Sequence, residues 1–195
     1  MTLALWIVVG YLLGSVPFGI LITRAMNLGD LRQIGSGNIG ATNVLRTGNK
    51  GAALATLLLD GGKGAVAVLL ARWLAQDESA AQLAGLAAMA GHCFPVWLKF
   101  KGGKGVATFL GTMLALAWPI GLLCCATWLA AFYLSKISSV GAIAAAASVA
   151  PWTLLLGRTD LTFVALMLTF IVLYRHRENI NRLREGTEPK VGKKS

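Results

Sequence analysis

A polar, glycine-rich segment at residues 35–46 carries the side chains of this chain that are best suited to binding an anion. It reads Gly-Ser-Gly-Asn-Ile-Gly-Ala-Thr-Asn-Val-Leu-Arg and contains no Asp or Glu. Glycines let backbone N–H groups approach a ligand closely, and the Ser, Asn, Thr and Arg side chains add hydrogen-bond donors. A plain linker needs no such density of donors, so we interpret the segment as a phosphate-binding loop. Its candidate residues are Ser36, Gly37, Asn38, Gly40, Thr42, Asn43 and Arg46.

The first six residues of this segment also match the GxGxxG pattern of dinucleotide-binding folds. Such a fold requires a strand before the glycines and a parallel sheet around them. Here a long apolar segment typical of a transmembrane helix precedes the glycines, so a Rossmann fold is rejected. The physical reason for the glycines, close backbone approach to a phosphate, still applies.

A second candidate anion site is the sequence Gly-Gly-Lys-Gly, which occurs at 61–64 and again at 102–105. Neither copy is a Walker A loop, because Leu57 and Leu98 stand where that motif needs its first Gly. In the second copy, Lys104 is expected to open a helix, where backbone amides and the helix dipole favour an anion. The alternative is ordinary basic flanking of a membrane span. The candidate residues of this copy are Gly102, Gly103, Lys104 and Gly105.

Two further groups of polar residues lie in or next to apolar segments. Asp60 and Lys63 are three residues apart and share a helix face, as a neutralising structural pair or as part of a site. His92 is expected to pack or to hydrogen-bond rather than to catalyse. No group of His, Cys, Asp and Glu has the spacing of a metal site, so no metal is predicted.

A third candidate cluster surrounds His176 at the end of the last apolar segment. A helix there places Asn179 on the same face as His176, and Glu178 near Arg175 and Arg182. The competing interpretation is a basic anchor for anionic lipid that continues to the chain's end. That interpretation predicts that neutralising Lys193 and Lys194 matters as much as neutralising Lys104.

The composition places these motifs in a membrane protein. Of the 195 residues, 56% are hydrophobic and only 13% are charged, and the mean hydropathy is +0.67. A soluble domain has about 25% charged residues, so this chain is too apolar for water. The net charge of +10 has no single meaning, because membrane proteins collect Lys and Arg on their cytoplasmic side.

The predicted fold class is an all-α integral membrane protein with seven transmembrane helices, some of them short. With the N-terminus outside (periplasmic) and the C-terminus cytoplasmic, all Lys and Arg except Arg72, Arg158 and Lys63 fall in cytoplasmic segments. A single helix over 106–134 would place Lys136 and the basic C-terminal tail on the opposite side of the membrane from the other Lys and Arg residues. A hairpin at Trp118-Pro119 is therefore preferred. The predicted domains are a seven-helix membrane domain at 1–183 and a basic, frayed cytoplasmic tail at 184–195. The expected spans are 3–23, 51–75, 80–98, 105–117, 119–134, 138–156 and 161–174.

Four blocks of the sequence carry a resemblance to a known family. They are 14–19 (Gly-Ser-Val-Pro-Phe-Gly), 35–46, 91–108 (Gly-His-Cys-Phe-Pro leading to Phe-Lys-Gly-Gly-Lys-Gly-Val-Ala-Thr) and 174–183 (Tyr-Arg-His-Arg-Glu-Asn-Ile-Asn-Arg-Leu). In this order and spacing they resemble the bacterial acyl-phosphate-dependent glycerol-3-phosphate acyltransferases, the PlsY family. The resemblance implies an inner-membrane enzyme with its active site facing the cytoplasm. It would transfer a fatty acyl group from acyl phosphate to the 1-hydroxyl of glycerol-3-phosphate, giving lysophosphatidic acid and phosphate for phospholipid synthesis.

The resemblance also implies roles for particular residues. Ser36, Arg46, Lys104, His176 and Asn179 would be catalytic, and Ser139 would join the glycines and polar residues of the two loops in binding substrate. It implies no cofactor and no nucleic acid, contact with membrane lipid, and a peripheral enzyme that makes acyl phosphate as a partner. The His-x4-Asp motif of other acyltransferases is absent, since Trp97 and Asn181 stand five residues after His92 and His176. The alternatives from the residues alone are a transporter of phosphorylated solutes and a scaffold with a basic lipid-binding face.

Overall fold

The regular structure is helical throughout the residues that can be described. The computed structural model describes residues 2–191, and no strand occurs in that range. The predicted Lys193 and Lys194 anchor therefore lies outside the described residues. Three single 3-10 turns interrupt the α-helices. The helices are α1 Leu3–Gly14, α2 Phe18–Ala25, α3 Ala41–Val44, α4 Lys50–Ala75, α5 Glu78–Cys93, α6 Val106–Leu116, α7 Trp118–Ser135, α8 Ser138–Leu155, α9 Thr162–Arg175 and α10 Arg177–Arg184.

The chain divides into two compact units between Leu116 and Ala117. In the first, α4 packs against α1, α5 and α6, and the short helices α2 and α3 lie on α4. The close contact of α1 with α5 depends on Gly10 and Gly14, because a Cβ at either position would overlap the α5 backbone. In the second unit α8 packs against α7 and α9, and α10 follows α9.

The first predicted span is broken in the middle. α1 ends at Gly14 and α2 begins after Pro17, whose ring cannot donate the helical hydrogen bond. The carbonyl groups exposed by the break find other donors. Trp97 Nε1 donates to Ser15 O at 2.9 Å, and Lys63 Nζ donates to Val16 O at 2.8 Å. The break is therefore satisfied by side chains from elsewhere in the same unit, as buried backbone requires.

The stretch from 106 to 134 is not one helix, which confirms the predicted interruption, although the break lies at Ala117, just before Trp118-Pro119. The hairpin expected there stays a prediction. α6 stops at Leu116, and Ala117 has extended backbone angles. The guanidinium group of Arg72 donates to the carbonyls of Ala115 and Leu116 at 2.6 and 3.2 Å, and it also pairs with Glu78. These hydrogen bonds satisfy carbonyl groups at the end of α6 that have no helical partner.

Five helical stretches are long and apolar enough to cross a membrane, by length and composition. A sixth results if Thr159–Arg175 and Arg177–Arg184, which meet at 62°, form one broken span. At 11 residues, α6 is only about 16 Å long, against about 30 Å for a bilayer core. Seven crossings and an external N-terminus therefore stay predictions. The five stretches are Leu3–Ala25, Lys50–Ala75, Glu78–Leu98, Trp118–Ser135 and Ser138–Leu155.

The described part of the tail is attached to its unit, so the prediction of a frayed segment from 184 is wrong up to Val191. The backbone N–H of Val191 donates to Lys136 O at 2.9 Å, and that of Thr187 donates to Arg182 O at 2.8 Å. The side chain of Glu188 is only 6% exposed. Fraying was predicted from the basic composition of this segment. Composition carries no information about hydrogen bonds such as that between Val191 and Lys136, which are far apart in sequence.

Candidate active site

The 35–46 loop is organised around Asn43, which is 2% exposed. Its amide group donates to Leu31 O at 3.0 Å and to Asn38 O at 2.7 Å. Its Oδ1 accepts from the backbone N–H of Ser36 at 3.2 Å, from the Ser36 hydroxyl at 3.5 Å and from Arg46 Nη1 at 3.4 Å. Asn43, predicted to bind substrate, thus directs its polar atoms to the loop itself and brings Ser36 and Arg46 together.

Gly35 allows the Arg46 side chain to cross the loop. Gly35 has a φ of +53°, and a Cβ there would overlap the Arg46 guanidinium group and approach Asn43 Oδ1. Any L-residue at this position would be strained and would also displace the arginine. Ser36 and Arg46 are both exposed at the loop surface. The glycine therefore places a hydroxyl and a guanidinium group side by side on an accessible surface.

The remaining polar residues of this loop shape its entry into α3. The Oδ1 atom of Asn38 accepts from the backbone N–H of Ile39 at 3.0 Å. The Gly40 carbonyl accepts from the backbone N–H groups of Asn43 and Val44 at 2.9 and 3.1 Å. Thr42 is exposed within α3. Asn38 and Gly40 thus shape the backbone, and Thr42 presents its hydroxyl at the surface.

The 102–105 loop returns the chain from α5 to α6. The N–H of Gly102 donates to Cys93 O at 3.1 Å and that of Gly103 to His92 O at 3.0 Å. Gly102, Gly103 and Gly105 are buried, while Lys104 is half-buried. Because α6 begins at Val106, Lys104 lies two residues before the helix and does not open it as predicted. It still precedes the helix end whose free N–H groups favour an anion.

Arg32 joins these two loops and was missed by the sequence analysis. Its Nη2 donates to Lys101 O, and its Nη1 contacts Gly37 O at 3.5 Å. The guanidinium group thereby fixes the two glycine-rich loops next to each other within the first unit. In the sequence, Arg32 was only one more basic residue of a cytoplasmic loop, and nothing in its spacing indicated a partner at residue 101.

His176 lies in the second unit, at the bend between α9 and α10, and is 2% exposed. Its Nδ1 lies 2.8 Å from Val172 O. A carbonyl oxygen can only accept, so Nδ1 carries the proton and Nε2 of the neutral ring is the acceptor nitrogen. This hydrogen bond fixes both the orientation and the tautomer of the imidazole.

Ser139 and Asn179 meet at the carboxylate of Glu188. The Ser139 hydroxyl donates to Glu188 Oε1 at 2.7 Å, Asn179 Nδ2 donates to the same oxygen, and Arg182 Nε donates to Oε2 at 2.7 Å. Burial raises the pKa of the Glu188 carboxyl, but the hydrogen bonds from Asn179 and Ser139 and the contact with Arg182 outweigh it. The pKa therefore lies below the ordinary value for Glu. Glu188 was missed because it lies in a segment interpreted as a basic tail.

Two other expected ion pairs have different outcomes. Glu178 was predicted near Arg175 and Arg182. Arg182 pairs with Glu188, and Oε1 of the exposed Glu178 lies 3.9 Å from Arg177 Nη2. The predicted pairing of Asp60 with Lys63 is confirmed at 2.8 Å. Among the described residues, no three His, Cys, Asp or Glu side chains are grouped as metal ligands would be.

Comparison with known proteins identifies the family. The family model for glycerol-3-phosphate acyltransferase matches residues 4–186. The chain belongs to this family. It is 65% identical to the glycerol-3-phosphate acyltransferase of Ruegeria pomeroyi over 100% of this chain and 96% of that protein. It is 64% identical to that of Cereibacter sphaeroides over 96% of this chain and 89% of the relative.

A solved structure supports the same assignment. The crystal structure of PlsY (YgiH), an integral membrane glycerol 3-phosphate acyltransferase, in its glycerol 3-phosphate form has a TM-score of 0.91 and 38% identity to this chain, covering 97% of this chain and 96% of PlsY. Its lysphosphatidic acid form has a TM-score of 0.89 and 37% identity, covering 97% and 95%. The chain is therefore an acyltransferase and an integral membrane protein, and the suspected family is confirmed.

The candidate residues of the two units, each taken by itself, differ in chemistry. The first supplies cations and donors, with Ser36 and Arg46 on one loop and Lys104 on a second loop held beside it by Arg32. The second supplies an oriented imidazole at His176 and the amide of Asn179. Cationic and amide groups of this kind can stabilise phosphate charge, and a neutral imidazole can take a hydroxyl proton.

Proposed function

We propose that this protein transfers a fatty acyl group from acyl phosphate to the 1-hydroxyl of sn-glycerol-3-phosphate. The products would be 1-acyl-glycerol-3-phosphate (lysophosphatidic acid) and inorganic phosphate, in phospholipid biosynthesis. The proposal is consistent with the glycerol 3-phosphate and lysphosphatidic acid forms of the related PlsY. The observation that carries it is the pair of glycine-rich loops clasped by Arg32, each with its own cation. A reaction between two phosphorylated substrates requires two phosphate-binding groups, and each loop offers one cation.

The chemistry needs positioning more than it needs a protein nucleophile. Acyl phosphate is already an activated mixed anhydride, so the glycerol hydroxyl oxygen can attack the acyl carbon directly. The new ester C–O bond forms, the anhydride C–O bond to phosphate breaks, and the hydroxyl proton moves to a base. Such a reaction gains most from oriented substrates and from neutralising charge on the departing phosphate.

The proposed catalytic residues follow from this chemistry. Ser36 and Arg46 would bind one phosphate, and Lys104 would bind the other. The N–H groups of Gly102 and Gly103 already donate to Cys93 O and His92 O, so Gly102, Gly103 and Gly105 would act by shaping the loop that presents Lys104. His176 would orient the attacking hydroxyl with Asn179 and accept its proton at Nε2, unless the donor's own phosphate takes it. Thr42 would contact substrate through its exposed hydroxyl, while Gly37, Asn38 and Gly40 would shape the loop around it. Ser139 would accept a hydrogen bond from substrate, since its own hydroxyl donates to Glu188. Asn43 would act indirectly, by holding Ser36 and Arg46.

The proposed location is the bacterial inner membrane, with the active site facing the cytoplasm. Residues 1–183 would form one catalytic domain with seven crossings, an external N-terminus and a cytoplasmic C-terminal tail. The excess of Lys and Arg in the segments 24–50, 98–104 and 135–137 and in the tail from Arg175 supports this orientation. The acyl chain of the donor would lie among helices or lipid, and a peripheral enzyme would supply acyl phosphate.

The test is reconstitution with a defined donor. The purified full-length protein in lipid nanodiscs is given palmitoyl phosphate and radiolabelled glycerol-3-phosphate, and lysophosphatidic acid is measured. We expect product with acyl phosphate and none with palmitoyl-CoA or palmitoyl-acyl carrier protein as sole donor. A thioester donor that works as well as acyl phosphate would overturn the proposed donor.

The residue assignments are tested in the same assay. Lys104→Met and Arg46→Met are each expected to lower kcat/KM at least 100-fold with unchanged thermal stability, because each removes a cation from a phosphate site. Arg24→Met, an exposed cation outside both loops, is the matched control and should stay within twofold of wild type. Near-normal turnover by Lys104→Met would refute its role.

A further inference from the structure

Three titratable side chains are buried together in the first unit, outside the residues assigned to substrate. Asp60, Lys63 and His92 are 2%, 6% and 4% exposed, so protein shields them from water and lipid alike. Lys63 Nζ lies 2.8 Å from Asp60 Oδ1, and His92 Nδ1 lies 3.6 Å from the same oxygen. The carboxylate of Asp60 is therefore the centre of the cluster, with a group from α4 on one side and one from α5 on the other.

The cluster is in direct contact with the 102–105 loop. The backbone carbonyl of His92 accepts from the N–H of Gly103 at 3.0 Å. The His92 ring occupies the space of a side chain at Gly103, because a Cβ there would overlap the ring. Gly103 immediately precedes Lys104, so the ring packs against the residue next to the lysine.

The far side of the loop is tied to the same carboxylate-bearing residue. The hydroxyl group of Thr108, in the first turn of α6, donates to the backbone carbonyl of Asp60 at 2.8 Å. Lys63 in turn donates to Val16 O at the break between α1 and α2, with its ammonium group 5.7 Å from the Phe18 ring centre. The loop is thus held at both ends by one network, which also reaches the break in the first span.

A purely structural explanation leaves the charges unexplained. Buried ion pairs seldom stabilise a protein more than well-packed apolar residues of similar volume, and ionisable residues within membrane spans usually mark functional sites. A charged network does provide fixed directions, because each hydrogen bond and ion pair constrains both partners. A lysine that binds a phosphate for catalysis requires such a fixed orientation.

We infer that Asp60, Lys63 and His92 are positioning residues for acyl transfer, which hold the 102–105 loop so that Lys104 meets the phosphate of its substrate. The inference rests on the proposed function, since it assigns the network to the phosphate loop of that reaction. None of the three contacts substrate in this scheme. Their loss should weaken substrate binding and turnover without abolishing the fold.

The experiment separates positioning from charge balance. Asp60→Asn or Lys63→Met alone leaves an unpaired buried charge, so each single variant is expected to be less stable. The double variant Asp60→Asn/Lys63→Met is neutral and should regain thermal stability close to wild type. If the network positions the loop, the double variant still shows KM for glycerol-3-phosphate or acyl phosphate raised at least tenfold, or kcat lowered at least tenfold. A merely structural pair predicts that activity returns together with stability.

Two further variants keep the outcome decisive. His92→Gln removes the ring beside Gly103 while leaving the ion pair in place, and it should also raise KM or lower kcat at least tenfold. Thr56→Val is the matched control, because Thr56 is buried on α4 one turn from Asp60 and donates to Ala52 O instead of to the loop. Kinetics within twofold of wild type for His92→Gln, or for a stable double variant, would overturn the inference. A wild-type protein that forms no product would instead refute the proposed function.

Discussion

Replacing Asn43 tests whether hydrogen bonds inside the first loop create its binding surface. Asn43→Ala removes two donated bonds, to Leu31 O and Asn38 O, and the acceptor shared by Ser36 and Arg46. The side chain is buried, so water cannot easily replace what is lost. The Ser36 hydroxyl and the Arg46 guanidinium group would then no longer be held in one place.

The size of the effect follows from the two short bonds. A typical intramolecular hydrogen bond contributes about 0.5–1.5 kcal/mol net, so losing both costs the ordered loop about 1–3 kcal/mol. A cost of that size raises the ratio of open to ordered loop roughly 5- to 150-fold. We therefore expect kcat/KM for glycerol-3-phosphate to fall at least fivefold, the lower end of that range. Asn43→Asp should be worse, because it also adds a negative charge beside a phosphate site.

The assay compares kinetics with thermal stability in nanodiscs. The matched control is Asp77→Ala, which removes the N-cap bond to Ser79 N at 2.8 Å and should cost about 1 kcal/mol at the start of α5. If Asn43 acts through the loop, Asn43→Ala loses activity while Asp77→Ala, with a similar loss of stability, keeps it. Equal kcat/KM for wild type and Asn43→Ala, or an equal fall in both variants, would refute this reasoning.

Three further outcomes are expected. Glu188→Gln should lower kcat/KM about tenfold and expose the tail to limited proteolysis, because it removes the charge that Ser139, Asn179 and Arg182 contact. An unchanged rate of cleavage of the tail would contradict this. The pKa of Glu188 is lowered, so the stabilisation by its carboxylate is complete above the ordinary value of 4.5 and is lost as pH falls through the lowered value. Protection of the wild-type tail against proteolysis should therefore persist at pH 5 and fail only below about 4.5. Arg32→Met should raise KM at least fivefold. Arg32→Lys should restore only part of the loss, because one ammonium group cannot reproduce the two donors of a guanidinium group. Full activity in Arg32→Met would contradict the proposal that Arg32 holds the two loops together.

Features that depend on local pattern were predictable from the sequence. The apolar runs indicated helices, and the break before Pro119 and the Asp60–Lys63 pair on one helix face are both confirmed. The pair depends on two residues three positions apart, and the break was predicted from Pro119 together with the distribution of Lys and Arg along the chain. The first span was harder, since its break at Pro17 needed carbonyl partners at Lys63 and Trp97 that no local pattern reveals.

The contacts that organise the candidate site were not predictable, because they join distant segments. Arg32 reaches Lys101, and Ser139 reaches Glu188, across 69 and 49 residues respectively. A single sequence contains no signal for such pairs, since neither periodicity nor spacing connects them. Glu188 is one of two acidic residues in a basic tail, and composition alone led to the wrong expectation of a frayed end.

In each unit, one residue holds the candidate site side chains in place, and its own polar atoms form hydrogen bonds to other protein groups. Asn43 does this for Ser36 and Arg46, and Glu188 does it for Ser139 and Asn179. In the proposed reaction the donor is already activated, so the rate would depend on the placement of charge rather than on a reactive nucleophile, and rigid loops would contribute directly to it. Loss of a holding residue should then resemble loss of a residue that contacts substrate. Only the hydrogen-bond partners of each side chain distinguish Asn43 from its neighbour Ser36, although both belong to one glycine-rich motif.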